Sequence, residues 1–368
     1  MRRNSVILAV TAVLIIVGSL LYTIINFLKK KKEEGFASIF ITAGLQLTVT
    51  SFGSFYENLK EFMVLFKSQN VEESLKVHQT FSQVNWSQLV IGIVLILLGF
   101  YFFQYLKHRI YILNINGYLP PLSIEDHFSN LKLNKFEFKE REIDIIHERN
   151  YEMNEEKAKD ILELIERKVK LFISESTGCT RGYTGIAPIP FVAMAGTWLK
   201  KTRIDKYFEF DKKNSETYYS LSKSRKYPEL KKVTQYTQLN LDAEEVVITI
   251  STTTPITNPQ LKQFNNCEIV KLTVDDPKDN TIKSQKQLKE YINKTIEVIE
   301  ELPRIFPKLR KIHMVCSTQS CFVLEIGKNI EDFRNVPIII YHFNAQKEIK
   351  YPWGIVINGS EKGKFIKA

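Results

Sequence analysis

Hydroxyl and amide side chains cluster in short polar loops that directly follow apolar, β-rich runs of this sequence. One loop follows the run 246–251, a second follows 311–316, and a third, at 177–188, follows an apolar run at 169–174. Backbone N–H groups at a helix N-terminus, supplemented by Ser and Thr hydroxyls, suit a phosphate without a nucleophile or base. The pattern therefore predicts a site that holds phosphate groups.

The candidate ligand-binding residues come from these loops and from aromatic positions near them. They are Tyr183, Thr184, Pro188, Pro190, Ser251, Thr252, Thr253, Thr254, Ser317, Thr318, Gln319, Ser320, Tyr341 and Trp353. A simpler interpretation stays open for the loops, because threonines followed by Pro255 also suit a plain helix cap. The aromatic residues, together with Trp198, suit stacking on bases but are also typical of a hydrophobic core.

No catalytic motif accompanies these loops. The sequence has no GxxxxGK[ST] loop, HExxH pair or nucleophile elbow, and His313 and His342 fall in predicted strands, where a structural role is expected. The four cysteines form no CxxC pair, which argues against a zinc site and against a disulfide framework. We therefore expect no enzyme activity, no metal and no cofactor.

The elements around the loops form an internal repeat of strand, loop, helix, strand, turn and strand. The first copy is predicted at 169–174, 175–188, 190–201, 207–211 and 217–221. The second copy is predicted at 311–316, 317–320, a helix through 328, 337–343 and 353–358. Two copies of one supersecondary order indicate two related lobes.

The segments between the two copies favour an α/β fold. Strands are predicted at 246–251 and 267–274, and a helix near 285–302 has its apolar residues at helical spacing. Asn154 is expected to cap a further helix ahead of the strand at 169–174. Short apolar strands that alternate with helices indicate parallel βαβ units, so we expect two fused Rossmann-like lobes, one of them abbreviated. In such folds a ligand binds at the carboxyl ends of the strands.

The first 109 residues predict membrane spans, because a bilayer core of about 30 Å needs roughly 20 apolar helical residues. Uncharged segments over 4–28 and 86–106 meet that length, and 36–56 is uncharged but more polar. A third span is favoured because it leaves both basic clusters, 29–32 and 107–109, in the cytoplasm. Within 36–56, the residues Thr42, Gln46, Thr50 and Gly53 are predicted to share one helical face, which suits a helix contact or a water-filled path.

The remaining segments complete the domain plan. Residues 110–150 are predicted to be a juxtamembrane connector, and 151–368 the ligand-binding domain. A cleaved signal peptide over 1–20 is a weaker alternative, because its apolar run is longer than an ordinary signal core. The net charge of +10 partly reflects the basic flanks of the spans. Three cations, Arg181, Lys200 and Lys201, suit either phosphate contacts or a solvated surface.

Three segments resemble the SAVED domain, which occurs in CBASS anti-phage systems. They are TGIAPIPFVAMAGTWL at 184–199, KIHMVCSTQSCFVLEIGK at 311–328, and IIIYHFN followed by YPWGIVIN at 338–344 and 351–358. The resemblance covers about 154–358. It implies two fused CARF-like units that bind a cyclic oligonucleotide second messenger, here joined to membrane spans rather than to a nuclease.

These observations predict a multi-pass protein of the bacterial inner membrane with a cytoplasmic C-terminal domain. Its expected partners are a cyclic di- or trinucleotide, membrane lipid and a nucleotidyltransferase that acts through its product, with no DNA or RNA duplex. Ligand binding is expected to drive homo-oligomerisation and to disrupt the membrane. Two alternatives stay open: a membrane-anchored enzyme that degrades a cyclic nucleotide, and a tethered sensor that recruits a separate effector.

Overall fold

The structure is a computed structural model, and it divides the chain into two compact units, 1–108 and 109–368. It describes residues 17–18, 21–22, 32–51, 85–107, 109–118, 122–131, 133, 138–146, 152–212, 215–224 and 226–367. The predicted span 4–28 and the signal-peptide alternative lie almost entirely outside these ranges. The segment 57–85, which a topology with three spans assigns to an external loop, also lies outside these ranges except for its last residue.

The N-terminal unit contains two helices that pack against each other, α1 (Lys32–Ser51) and α2 (Trp86–Lys107). They run antiparallel, since the Asn85 amide donates to the Ser51 carbonyl at 2.9 Å while Gly99 lies against Ile41. Glycine allows this close approach: a Cβ atom on Gly44 would lie 2.6 Å from the Gly92 carbonyl oxygen. Small residues at a helix crossing are typical of pairs that associate in membranes.

The polar face predicted for the second span is partly present at the helix contact. Thr42 is buried and its hydroxyl donates to the Ser38 carbonyl at 2.9 Å, and the Thr50 hydroxyl accepts from the Gln88 side-chain amide of α2 at 2.7 Å, whereas Gln46 is exposed. Gly53 lies outside the described residues. Gly44 and Gly92 bring the two helix backbones close at the same contact.

Among the described residues, one helix is long and apolar enough to cross a membrane, over Trp86–Tyr105. It agrees with the predicted span 86–106. The apolar part of α1 over Gly35–Ser51 is shorter than the usual span. A membrane span over 36–56 therefore stays a prediction.

The C-terminal unit is a mixed α/β structure built on two sheets, which agrees with the predicted class. Its helices are α3 (Glu155–Glu175), α4 (Ile189–Leu199), α5 (Gln285–Ile305) and α6 (Ser320–Asn329). Its first sheet contains β1 (Ile110–Asn116), β2 (Phe138–Asp144), β3 (Thr180–Ile186), β4 (Lys206–Asp211) and β5 (Thr217–Ser220). Its second sheet contains β6 (Lys231–Lys232), β7 (Glu245–Ser251), β8 (Glu268–Thr273), β9 (Lys311–Ser317), β10 (Ile338–His342), β11 (Trp353–Val356) and β12 (Phe365–Lys367).

The first sheet has the strand order β2-β1-β3-β4-β5 and includes residues that the sequence assigns to a connector. Strand β1 pairs in parallel with β2 on one side and with β3 on the other, over all seven of its residues. The boundary predicted at residue 150 is therefore wrong. The prediction fails because β1 pairs with β3, a strand distant in sequence, and this pairing places 110–146 inside the lobe rather than in a separate connector.

The start of the first repeat is also shifted relative to the sequence prediction. Residues 169–174 continue helix α3, in which Ile165, Val169 and Phe172 are all buried at helical spacing. The predicted polar loop 177–188 contains strand β3, which lies between β1 and β4 and is therefore covered on both edges. The prediction of a strand at 169–174 followed by a loop throughout 177–188 is therefore wrong.

The second sheet agrees with the prediction for 246–358. Its order is β12-β11-β10-β9-β7-β8-β6, with β10, β9, β7 and β8 parallel to one another. Buried Val, Ile and Leu side chains from its strands join α5 and α6 in the largest hydrophobic cluster. Helix α5 is capped by Ser284, whose hydroxyl accepts from the Gln287 amide at 3.2 Å.

The two lobes share the predicted repeat once its first strand is moved to β3. In each copy the strand before the helix pairs in parallel with the strand after it, and that second strand pairs antiparallel with a third. Helices α4 and α6 pack against each other and each reaches the strands of the other copy. A Cβ atom on Gly327 would lie 1.9 Å from the Ala193 carbonyl oxygen, so glycine permits this crossing.

Candidate functional site

Two of the predicted loops meet at the carboxyl edge of the second sheet, because β7 and β9 are parallel neighbours. The Thr252 hydroxyl donates to the Thr318 hydroxyl at 2.8 Å, and the Thr253 and Ser317 hydroxyl oxygens are 3.0 Å apart. The Thr254 amide donates to the Ser317 hydroxyl at 3.1 Å. The hydroxyl groups of the two loops thus form two neighbouring pairs at this edge.

A third segment at this edge is 274–284, which follows β8. The Lys278 amide donates to the Thr252 carbonyl at 3.1 Å, and the Thr281 hydroxyl donates back to the Lys278 carbonyl at 2.6 Å. Sequence reasoning missed this segment. The same rule that selected the other loops identifies it, since Asp275–Lys278 are polar residues directly after an apolar strand.

Gln319 ties this edge to the first lobe. Its amide oxygen accepts from the Ile282 backbone N–H at 2.5 Å, and its amide nitrogen donates to the Ile282 carbonyl at 3.0 Å. The same nitrogen lies 2.8 Å from the Tyr219 hydroxyl of β5. Because Gln319 is buried, these polar contacts are costly to lose.

Asn280 is the one residue of this edge with a buried polar atom that has no hydrogen-bond partner in the part of the chain that the structure describes. Its amide oxygen lies 3.2 Å from the Tyr219 hydroxyl, but its amide nitrogen makes no hydrogen bond. The residue is only 9% exposed and has φ of 58°, a conformation that asparagine tolerates better than most residues. A buried donor without an acceptor is costly unless something binds it.

The N-terminus of α6, where the sequence predicts phosphate, already holds a carboxylate. Glu209 of β4 accepts from the Cys321 backbone N–H at 2.7 Å and is buried. Burial raises the pKa of the Glu209 carboxyl to about 7, and hydrogen bonds from Cys321 and Ser320 oppose that rise. Nearby, the Tyr183 and Ser320 hydroxyl oxygens are 2.6 Å apart. Phosphate contacts are therefore expected at the Thr252 to Asn280 side of the edge.

The remaining predicted site residues occupy the interior. Tyr183 and Thr184 are buried in β3, and Pro188 and Pro190 begin helix α4. Tyr341 lies in a hydrophobic cluster with its hydroxyl 2.9 Å from His313 Nδ1. Trp353 is 7% exposed and stacks on His342 at 4.9 Å. The structure therefore brings the Ser251 and Ser317 loops together and leaves these aromatic residues in core positions.

The nearby cations named from the sequence have structural partners. Arg181 donates to the Ser176 hydroxyl at 2.6 Å, and Lys200 forms an ion pair with Asp332 at 2.6 Å. Lys201 is exposed. Arg181 and Lys200 therefore make structural contacts within the folded unit. The basic residue that follows β8 at the candidate edge is Lys278.

Comparison with known families decides the classification of this unit. The model of the "SMODS-associated and fused to various effectors sensor domain", SAVED, matches residues 161–357, more than half of the chain. The chain belongs to the SAVED family. The resemblance stated from the sequence segments is thus confirmed, and the SAVED domain of this chain is a sensor domain by family. No curated protein sequence matches the chain.

Solved SAVED receptors share low identity with this chain. The Acinetobacter baumannii Cap4 SAVED/CARF-domain receptor with 2′3′3′-cAAA is 14% identical, with a TM-score of 0.43, over 76% of this chain and 55% of that chain. The structure of the same receptor with 3′3′3′-cAAA is 13% identical, with a TM-score of 0.44, over 76% of this chain and 60% of that chain. The Moraxella osloensis Cap4 receptor is 16% identical, with a TM-score of 0.40, over 64% of this chain and 47% of that chain. The matches thus span about half of each receptor.

Proposed function

We propose that this chain is a membrane receptor of anti-phage defence that binds a cyclic oligonucleotide through its SAVED domain. The ligand is made by a partner nucleotidyltransferase, and binding drives self-assembly and disruption of the bacterial inner membrane. The chain acts as a receptor and not as a hydrolase, and it needs no cofactor besides the ligand. Membership of a sensor family supports the binding step.

The observation that carries the binding step is the unpaired Asn280 amide donor, in the segment whose Lys278 backbone amide donates to the Thr252 carbonyl. A cyclic oligonucleotide presents phosphate oxygens and base acceptors, and either would satisfy a buried N–H donor. Lys278 lies in the same segment, where it pairs with Asp276 at 2.8 Å and has Asp275 and Asp279 near it in the sequence. This edge therefore offers hydroxyl and amide donors rather than net positive charge, and these donors match the hydrogen-bond acceptors of a cyclic oligonucleotide.

Replacing Asn280 with aspartate should weaken ligand binding roughly tenfold or more, since the change removes one buried hydrogen bond worth about 1–3 kcal/mol. Aspartate keeps the oxygen that faces Tyr219 and tolerates the same backbone conformation. Titration calorimetry on the full chain in detergent, with cyclic di- and trinucleotides including 2′3′3′-cAAA and 3′3′3′-cAAA, measures the affinity.

The matched control is Asn240→Asp, which makes the same charge change at an exposed loop position. It should bind as the parent chain does. Thermal unfolding of both variants separates lost binding from lost folding. Unchanged affinity in Asn280→Asp would place the ligand elsewhere, and no binding by the parent chain to any member of the panel would overturn the receptor proposal. Recovery of degraded ligand after long incubation would instead support the enzyme alternative.

The membrane step is assigned to α1 and α2. Large apolar side chains of α2, including Val90, Leu97 and Tyr101, are more than half exposed within the unit. Exposed apolar surface of this extent on a helix of spanning length favours contact with lipid. We therefore assign this unit to the inner membrane, with the SAVED domain in the cytoplasm.

Substituting Gly92 with leucine should abolish ligand-dependent leakage while leaving ligand affinity unchanged. A Cβ atom there would lie 2.7 Å from the Thr48 backbone nitrogen, so the α1 and α2 helices cannot keep their contact. Dye release from liposomes that contain the full chain measures the effect. The control is Leu97→Ile on the exposed face of α2. Full leakage from Gly92→Leu would show that leakage does not need the contact between α1 and α2, whereas no ligand-dependent leakage from the parent chain would support the tethered-sensor alternative.

A further inference from the structure

Three side chains that the proposed ligand site does not use converge at the amino end of the second sheet. They are Glu245 at the start of β7, Cys267 just before β8, and His313 in β9. Their nitrogen, oxygen and sulfur atoms all lie within 4.8 Å of one another. This group, the amino-edge cluster, lies at the opposite strand ends from the loops at 252 and 317, because β7, β8 and β9 are parallel.

The geometry of the amino-edge cluster centres on one carboxylate oxygen. Glu245 Oε2 is 3.1 Å from His313 Nε2 and 3.9 Å from Cys267 Sγ. Around a tetrahedral zinc ion with bonds of about 2.0–2.3 Å, neighbouring donor atoms are separated by roughly 3.3–3.6 Å. Small side-chain movements therefore convert the observed triangle into one face of a tetrahedral site.

The surroundings of the histidine fix which nitrogen faces the cluster. His313 Nδ1 is 2.9 Å from the Tyr341 hydroxyl, which leaves Nε2 directed to Glu245. Metal-binding histidines commonly hold their second ring nitrogen in such a hydrogen bond, which sets the ring orientation. The Phe264 ring, 5.4 Å away, packs against the same imidazole. The imidazole is thus already held in a ligand orientation.

The second carboxylate oxygen and the solvent face complete the arrangement. Glu245 Oε1 is 3.8 Å from Lys311 Nζ, so the lysine engages the oxygen that points away from the cluster. Glu245 and Cys267 are both partly exposed, which leaves an open side for a water molecule as a fourth ligand. One imidazole, one carboxylate and one thiolate suit a divalent metal of intermediate softness.

We propose that Glu245, Cys267 and His313 bind one divalent transition-metal ion of the zinc type, with water as the fourth ligand. The ion joins the three neighbouring strands β8, β7 and β9 at their amino ends. On binding, the Cys267 thiol releases its proton to solvent and His313 carries its proton on Nδ1, which then donates to Tyr341. A search for CxxC pairs misses such a site, because each ligand comes from a different strand.

Cobalt provides the test, since a thiolate bound to Co²⁺ gives a charge-transfer band and tetrahedral Co²⁺ gives intense visible bands. The full chain in detergent, with its cysteines reduced, is titrated with Co²⁺ and then with competing Zn²⁺. We expect one equivalent of Co²⁺, both absorption features, displacement by Zn²⁺, and a rise of a few degrees in the unfolding midpoint with Zn²⁺. Absence of the thiolate band in the parent chain would overturn the proposal without recourse to any variant.

Two cysteine variants locate the site. Cys267→Ser should lose the thiolate band and bind Co²⁺ at least tenfold more weakly, whereas Cys179→Ser, at another partly buried cysteine, should behave as the parent chain does. Circular dichroism establishes that both variants are folded. A band that persists in Cys267→Ser, or that disappears in Cys179→Ser, would place the thiolate elsewhere and contradict the assignment. The readout is independent of cyclic nucleotide binding, so it stands apart from the proposed function.

Discussion

Gly327→Ala should lower the free energy of unfolding of the SAVED domain by about 3 kcal/mol, because a Cβ atom has no room at this position. It would lie 1.9 Å from the Ala193 carbonyl oxygen and 2.8 Å from the carbonyl carbon of the same residue. Both atoms belong to the backbone of α4, so no side-chain rotation relieves the overlap. Helix propensity alone would favour alanine by about 0.5–1 kcal/mol, which the overlap exceeds. Thermal unfolding of the full chain should show a midpoint roughly 6–12 °C lower.

The control for Gly327→Ala is Lys168→Ala on the exposed face of α3, which should leave the midpoint within about 2 °C of the parent value. A second test uses Gly327→Ala combined with Ala193→Gly. Because the overlap is with the carbonyl group of residue 193, shortening that side chain should not restore stability. A parent-like midpoint for Gly327→Ala would show that α4 and α6 are further apart than these distances require.

The second lobe is predictable from the sequence because its strands are short apolar runs that end in polar loops. Strands β7, β8, β9 and β10 all lie within two residues of their predicted bounds. Parallel strands that are covered on both faces need near-continuous apolar sequence, which makes them visible without a structure. The predicted convergence of the Ser251 and Ser317 loops follows from the same pattern.

The first lobe is less predictable because its central strands carry weak local signals. Strand β3 has the sequence TRGYTGI, which contains two glycines, two threonines and an arginine. It nevertheless lies between two partner strands. Strand β2 is mostly charged, and its membership depends on pairing with β1, whose partners are 28 and 70 residues away in register. Hydropathy reports local burial, whereas these strands are specified by long-range pairing.

The site residues that the sequence does not reveal are those that act across the lobe boundary. Tyr219 reaches Gln319 from 100 residues away, and Glu209 reaches Cys321 from 112 residues away. Each is an ordinary polar residue within a strand when the sequence is considered alone. Their partners, Gln319 and Cys321, lie two residues apart at the start of α6, so hydrogen bonds between the two lobes form at this helix terminus. A ligand that engages Asn280 therefore acts on residues already linked to the first lobe through Tyr219.

The same helix terminus makes stability depend on pH through Glu209. Burial raises the pKa of this carboxyl from the ordinary value of 4.5 to about 7, so the folded chain holds a proton that the unfolded chain releases. The resulting stabilisation, about 3 kcal/mol, is complete below pH 4.5 and is lost as the pH rises to about 7. Glu209→Gln keeps an oxygen for the Cys321 N–H but does not titrate.

Raising the pH from 4.5 to 7 should therefore destabilise the parent chain by about 3 kcal/mol relative to Glu209→Gln. Denaturant unfolding of both chains at several pH values measures this difference in the free energy of unfolding. Other groups that titrate in both chains contribute equally, so their contributions cancel in the difference. Glu163→Gln, at an exposed position of α3, makes the same charge change and should follow the parent chain at every pH. Parallel profiles for the parent chain and Glu209→Gln would mean that the pKa of this carboxyl is the same in the folded and the unfolded chain. The N-terminus of α6 would then stabilise an anion as strongly as burial destabilises it. That terminus would again be a candidate position for a phosphate group of the ligand.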